Sequence, residues 1–148
     1  MNSHDELRAE VAEHYERLGM SSTAARVLAF LMLEPNGSAD APTLVAELGV
    51  AKSSVSVALG TLERYGLLER RRHAGDRRES FTLADNAFEA AFLSKLPALN
   101  SFVDIADRGL RLVPDDSDAA RRLRRMRSFY AYMVREFPRT LDGWNPDA

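Results

Sequence analysis

Two short stretches hold most of the side chains with an evident chemistry. Lys52, Ser53, Ser54 and Ser56 fall within five positions, and Arg72, His73, Asp76, Arg77 and Arg78 fall within seven. A cation and three hydroxyls at the start of a helix suit phosphate oxygens, because backbone N–H groups and the positive end of the helix dipole add to them. Val57 and Gly60 share the outward side of that helix, where Val57 offers a contact for a thymine methyl. Ala51 stands in the cap position without a side-chain oxygen, which omits a bond worth about 1 kcal/mol. The same window is the basic part of the chain. Residues 51–80 hold Lys52 and six Arg against four acids, whereas residues 1–34 hold three Arg against six acids. Residues 35–50 add two acids and no base, residues 81–148 balance ten against ten, and the whole chain comes to −2. A local basic footprint is the first mark of a nucleic-acid binder. Charge excess alone is equally the mark of a solvated face, so the pattern around it has to decide.

Other chemistries find little support. The chain has 148 residues, 45% hydrophobic and 28% charged, which is ordinary for one globular domain. With no cysteine, disulfides, Cys-ligated zinc, iron–sulfur clusters and thiol nucleophiles are excluded. His4, His14 and His73 are scattered, and no HExxH, GxSxG, GxGxxG or P-loop pattern occurs. The expectation is a protein that is not an enzyme and has no cofactor and no metal. No apolar run approaches the roughly 18 residues of a membrane span. The start, MNSHDELRAE, is polar and acidic, unlike a secretory signal. The chain therefore reads as cytoplasmic, with no membrane partner.

The elements that must position the basic window follow from periodicity and caps. A helix is predicted over residues 4–18, with Leu7, Val11, Tyr15 and Leu18 as its stripe and Gly19 as its stop. Ser21-Ser22-Thr23 caps a second helix over 23–34 that is apolar nearly all round and so buried. Asp40 caps a short helix over 41–48, and a further helix runs over 52–65 with Val55, Leu59 and Leu62 inward. Two helices joined by a short turn with a glycine, here Gly49, form a helix-turn-helix signature. Strands at 68–72 and 79–83 around Ala74-Gly75-Asp76 make a basic hairpin directly after it. That order is a winged helix. One long helix over 86–112, capped by Asp85 and kinked at Pro97, carries a seam of Leu96, Leu99, Val103, Ala106, Leu110 and Val113. A last helix covers 118–137, and the tail after Pro138 reads as irregular.

Residues 19–88 resemble the winged helix of the MarR-like transcriptional regulators, in the branch typified by glycine-betaine-synthesis repressors. The carriers are Leu44-Val45-Ala46-Glu47-Leu48-Gly49, Lys52-Ser53-Ser54-Val55-Ser56, Leu59, Leu62-Glu63, Gly66-Leu67, Glu69-Arg70 and Gly75-Asp76-Arg77-Arg78. The stretch DIADRGL at 104–110 and RRLRRMRSFYAYM at 121–133 are similar to a mycobacterial-type subgroup. Members of that subgroup control membrane transport or efflux genes and respond to fatty, amphiphilic ligands. The resemblance implies that Asp76 and Arg78 match an Asp-x-Arg arrangement, in which the acid holds the arginine extended toward the minor groove. Many relatives place Arg or polar residues where Val57 and Gly60 stand here, so base hydrogen bonding by this helix is thin and the wing compensates.

The expected fold class is mostly α: a winged helix-turn-helix DNA-binding domain over 19–84, an N-terminal dimerisation helix over 1–18, C-terminal dimerisation helices over 85–137 and an irregular tail over 138–148. Double-stranded operator DNA and a second copy of the chain are the expected partners. The DNA-binding set is Lys52, Ser53, Ser54, Ser56, Val57, Arg72, His73, Asp76, Arg77 and Arg78. The dimer set is Leu7, Val11, Leu99, Val103, Ala106, Leu110, Val113, Met126, Tyr130 and Met133. The Arg cluster at 121, 122, 124, 125 and 127 is expected to find acids on the first helix or at Asp104, Asp107, Asp115 and Asp116. Phe30, Phe88, Phe92, Leu96, Leu99 and Phe102, with Arg108 for a polar head, either line a groove for an amphiphilic effector or are plain core. The function read is a homodimeric repressor. A winged helix that binds protein and an architectural DNA binder are the alternatives, separated from it by salt slope and specificity ratio.

Overall fold

The structure is a computed structural model, and it describes residues 2–72, 74–75 and 77–148. The expected roles of His73 and Asp76 lie outside the described residues. The chain packs as two units, residues 1–91 and 92–148.

The first unit is built around an apolar helix. Helix α1 (Ser3–Arg17) starts at Asn2, whose side chain accepts the Asp5 N–H. Its Ala12 is buried against Ala25 and Ala29 of α2 (Ser22–Leu33), with Val11 and Tyr15 packed beside them. The predicted stripe is thus half used, since Leu7 stays 45% exposed and Leu18 66%. Helix α2 buries Val27, Leu28, Phe30 and Leu31 at the centre of the core. After Gly37, which turns the chain at φ +63°, comes strand β1 (Ser38–Asp40). No strand was expected there. Three residues are too few to show a period of two, and pairing supplies what the pattern lacks. Helix α3 (Ala41–Leu48) opens with Asp40 accepting the Thr43 N–H at 2.9 Å and closes at Gly49 in the left-handed region. Helix α4 (Lys52–Arg64) starts at Ala51 with no side-chain cap bond, as its sequence predicts. Val55, Ala58, Leu59 and Leu62 of α4 are buried in the same core as α2.

Strands β2 (Leu68–Arg72) and β3 (Glu79–Leu83) form the predicted hairpin, with Arg70 opposite Phe81 and Arg72 opposite Glu79. Strand β1 pairs antiparallel on the far side of β3, giving the order β1-β3-β2. Leu68 and Phe81 root the hairpin in the core. Beyond them it carries charge rather than apolar surface.

The long kinked helix predicted over 86–112 is instead two helices. Helix α5 (Ala87–Leu93) anchors Ala87 and Ala91 in the first unit's core, and its first turn closes through Ala87 N–H to the Ala84 carbonyl rather than through Asp85. Helix α6 (Leu96–Leu110) then begins afresh with Pro97 in its first turn. A proline there loses no hydrogen bond, whereas inside a continuous helix it would lose one and clash. Helix α7 (Asp118–Leu141) is capped by Ser117 and runs through Pro138, so the helix ends four residues later than expected. Thr140 in that added turn donates to the Glu136 carbonyl. In the second unit α6 and α7 lie antiparallel. Phe102 stacks on Tyr130 with ring centres 4.4 Å apart, Phe92 meets Phe137 edge-on at 5.4 Å, and Asp107 pairs with Arg127. Gly109 allows close approach, since a Cβ there would lie 2.9 Å from Leu123. No single helix among the described residues is long and apolar enough to cross a membrane.

Candidate nucleic-acid interface

The inward stripe of α4 leaves its other side to solvent. Lys52, Ser53, Ser54, Ser56 and Val57 are all exposed, Val57 by 71%. Because Val55, Ala58, Leu59 and Leu62 hold the helix to the core, these five residues stand at its N-terminal half, where free N–H groups and the dipole favour anions. An open groove of about 410 Å³ runs beside them. Lys52 and Ser56 of α4 line it together with Arg70 of β2, Arg77 and Arg78 of the hairpin loop, and Asp40 and Pro42 at the start of α3. The two basic stretches, twenty residues apart in the chain, therefore share one surface. On the opposite side of α4 a second hollow, of about 340 Å³, is lined by Ser21, Thr23, Ser53, Ser54, Val57 and Thr61. Ser21, Thr23 and Thr61 were not among the expected site residues. The Ser21-Ser22-Thr23 run reads as a cap, and Ser21 does cap α2, but the same run brings hydroxyls beside α4.

The hairpin's arginines are not equivalent. Arg72 donates to Glu79 Oε1 across the strand pair at 2.9 Å. Arg70 donates through Nη1 to Glu79 Oε2 at 2.9 Å and through Nε to Glu63 Oε2 of α4 at 3.1 Å, and its guanidinium lies 5.1 Å from the Phe81 ring centre. Arg72, Arg70 and their hydrogen bonds hold the Glu79 carboxyl below the usual carboxylate range. Arg71 makes a looser 3.6 Å pair with Glu69. Near the loop, Asp40 is also held below its ordinary value, first by its bonds with Thr43 and further by the charge of Arg78. Arg78 thus sits in the field of the acid that caps α3.

The expected dimer residues divide by unit. On α1, Leu7 is exposed and Val11 half-buried. On α6 and α7, Ala106 is fully buried, and Leu99, Val103, Leu110, Met126, Tyr130 and Met133 are half-buried. Val113 is also half-buried but lies past the end of α6. Within this unit only Ala106 and Ala120 are buried among the described residues, while Phe102, Ile105, Leu112, Phe129, Tyr132 and Trp144 are exposed. Of the arginine cluster, Arg127 pairs with Asp107, Arg121 with Asp118, and Arg124 donates to the Asp115 carbonyl. Among the expected effector residues, Phe30 is core and lies under the Arg8 guanidinium at 4.3 Å, beside a cavity of about 170 Å³. Phe88 and Phe92 are exposed, Leu96 and Leu99 half-buried, Phe102 stacks on Tyr130, and Arg108 is exposed. No cluster of acids and histidines able to hold a metal occurs among the described residues.

A short helix-turn-helix, a basic hairpin after it and a cation-lined groove between the two define a winged-helix DNA-binding protein. Residues 18–79 match the family model of the MarR family, and residues 86–146 match that of MmpR5-like MarR family transcriptional regulators. The chain is 32% identical to the HTH-type transcriptional regulator MmpR5 of Mycobacterium tuberculosis (strain ATCC 25618 / H37Rv) over 125 residues, covering 84% of this chain and 76% of that protein. A crystal structure of a transcriptional regulator, 30% identical, superposes with a TM-score of 0.80 over 95% of this chain and 97% of its own. The chain belongs to the MarR family of transcriptional regulators. It is a DNA-binding regulator of transcription and not an enzyme.

Proposed function

We propose that the protein is a homodimeric repressor, acting in the cytoplasm, that reads its operator with α4 and the wing together and is released by a small amphiphilic ligand. The observation that carries this reading is the shared groove, where Lys52 and Ser56 of the recognition helix face Arg77 and Arg78 of the wing. The N-terminal half of α4 enters the major groove, about 12 Å wide. Lys52, Ser53, Ser54 and Ser56 take phosphates and Val57 meets a thymine methyl. Arg77 and Arg78 reach the adjacent minor groove, where a narrow A·T-rich stretch concentrates negative potential. Dimerisation through α1, α6 and α7 is supported by the aromatic and aliphatic side chains that the second unit leaves exposed, Phe102 and Ile105 on α6 and Phe129 and Tyr132 on α7. The exposed Phe88 and Phe92 on α5 support an effector with an apolar tail. Such a ligand acts by preferring the spacing of the two heads that does not fit DNA.

The test is binding of the purified protein to the intergenic DNA upstream of its own gene, against a scrambled duplex, at two salt concentrations. Tight, salt-sensitive binding with a large preference for the upstream fragment is expected. Weak and equal binding to both fragments overturns the reading in favour of a protein-binding winged helix. Tight but equal binding overturns it in favour of an architectural DNA binder.

A further inference from the structure

The wing reaches beyond the core. On the face of the hairpin that meets the core, Leu68 and Phe81 are buried, but the next residues toward the tip on the same face are Arg70, Arg72 and Glu79. Past Phe81 the next pair on this face is Arg72 opposite Glu79, charged rather than apolar. Arg70 ties this part of the wing to α4. It bonds both α4, at Glu63, and the opposite strand, at Glu79. Its planar fork suits two carboxylates at once, and its position opposite Phe81 in the strand register lays the guanidinium over that ring. Arg72 holds the second oxygen of Glu79. Two acids and two bases thus close a neutral cluster between α4, β2 and β3.

We infer that Arg70 is a positioning residue for DNA recognition: through Glu63 and Glu79 it locks the wing to α4, so that helix and wing meet adjacent grooves in one fixed geometry. The inference rests on the proposed DNA role of α4 and the wing. It assigns Arg70 and Arg72, despite their charge, to the frame rather than to the phosphates.

The experiment measures affinity for a duplex that the wild-type protein itself selects from a random pool, together with the thermal melt of each variant. Glu63→Gln is the informative change. Removing an exposed negative charge tightens binding to a polyanion if Glu63 has no other role. The locking role predicts the opposite sign, a loss of about fivefold with an unchanged melt. Arg70→Lys keeps the charge and loses the fork, and it should weaken binding similarly. In an Arg77→Ala/Arg78→Ala background Glu63→Gln should no longer weaken binding, because neither wing cation is left to misplace. A Glu63→Gln variant that binds as tightly as wild type or tighter overturns the inference, as does an equal loss in both backgrounds. If the pool yields no preferred sequence, or the Arg77→Ala/Arg78→Ala variant binds like wild type, the underlying reading of the wing fails first and takes the inference with it.

Discussion

At the scale of single residues, Arg78 carries the sharpest expectation. It lines the groove shared with α4 and lies close enough to Asp40 to lower that acid's pKa. Replacing Arg78 by Ala should weaken operator binding about tenfold or more, since an arginine seated in a narrow minor groove loses both its charge and its shape contact. The melt should hold, because Arg78 is exposed and outside the core. An unchanged affinity with an unchanged melt would remove Arg78 from the interface. Asp40 and Glu79 set a second expectation, on the pH axis. Both have folded pKa values below their ordinary ones, Asp40 chiefly through Thr43 and Glu79 chiefly through Arg72. A depressed acid contributes stability that is fully present above its unfolded value, near 4, and is lost as pH falls through the lowered folded value. Asp40→Asn keeps a capping side chain and removes only the charge. It should melt below wild type at neutral pH, and the gap should close as the solution is acidified past about pH 4. A gap that stays constant down to acid pH would mean the charge contributes nothing.

At the scale of elements, α7 separates an arginine cluster into two populations. Arg121, Arg124 and Arg127 have partners on their own unit. Arg122 and Arg125 have none among the described residues, and at helical spacing they share a side with the exposed Phe129 and Tyr132. Helix α1 carries exposed Asp5, Glu6, Glu10 and Glu16. Charge reversal at Arg122 or Arg125 should therefore raise the dimer dissociation constant measured by sedimentation, and it should leave the salt slope of DNA binding nearly unchanged. A reduced slope with an intact dimer would make the cluster a second DNA contact. The same elements show what the sequence reveals and what it hides. Helices α2, α3 and α4 are legible to within a residue or so, because Ser21, Asp40, Gly49 and Gly66 punctuate strong apolar patterns. Strand β1 is hidden because pairing with β3, not its own pattern, makes it a strand. The break before α6 is hidden because Pro97 is compatible with either a kink or a first turn, and Phe92 and Phe88 continue the apolar spacing upstream of Leu96 at intervals of four. In the interface, residues on one helix face are legible from spacing. Arg70, Glu63 and Glu79 are not, because their meeting depends on strand register and on how the hairpin packs against α4.

At the scale of the whole molecule, charge placement matters more than the total. A chain of net charge −2 gains nothing from non-specific attraction to DNA at long range, so its binding must come from the few cations that reach phosphates. Lys52, Arg77 and Arg78 line the groove, while Arg70 and Arg72 are neutralised by Glu63 and Glu79. Three cations from each protomer of a dimer give a log–log salt slope of roughly −5, whereas counting Arg70 and Arg72 as well gives roughly −9. The shallower slope is expected, and the steeper one would mean that the wing opens its ion cluster on DNA. A dimer also fixes phase. Two recognition helices address major-groove sites about one helical turn, 10–10.5 base pairs, apart. Inserting about five base pairs between the half-sites turns one of them to the far side of the duplex and should reduce binding to that of a single half-site. Inserting about ten restores the facing and should recover part of the affinity, to the extent that the two heads can spread. A protein insensitive to both insertions would bind as independent heads, and a ligand acting on the spacing between them would then have nothing to control.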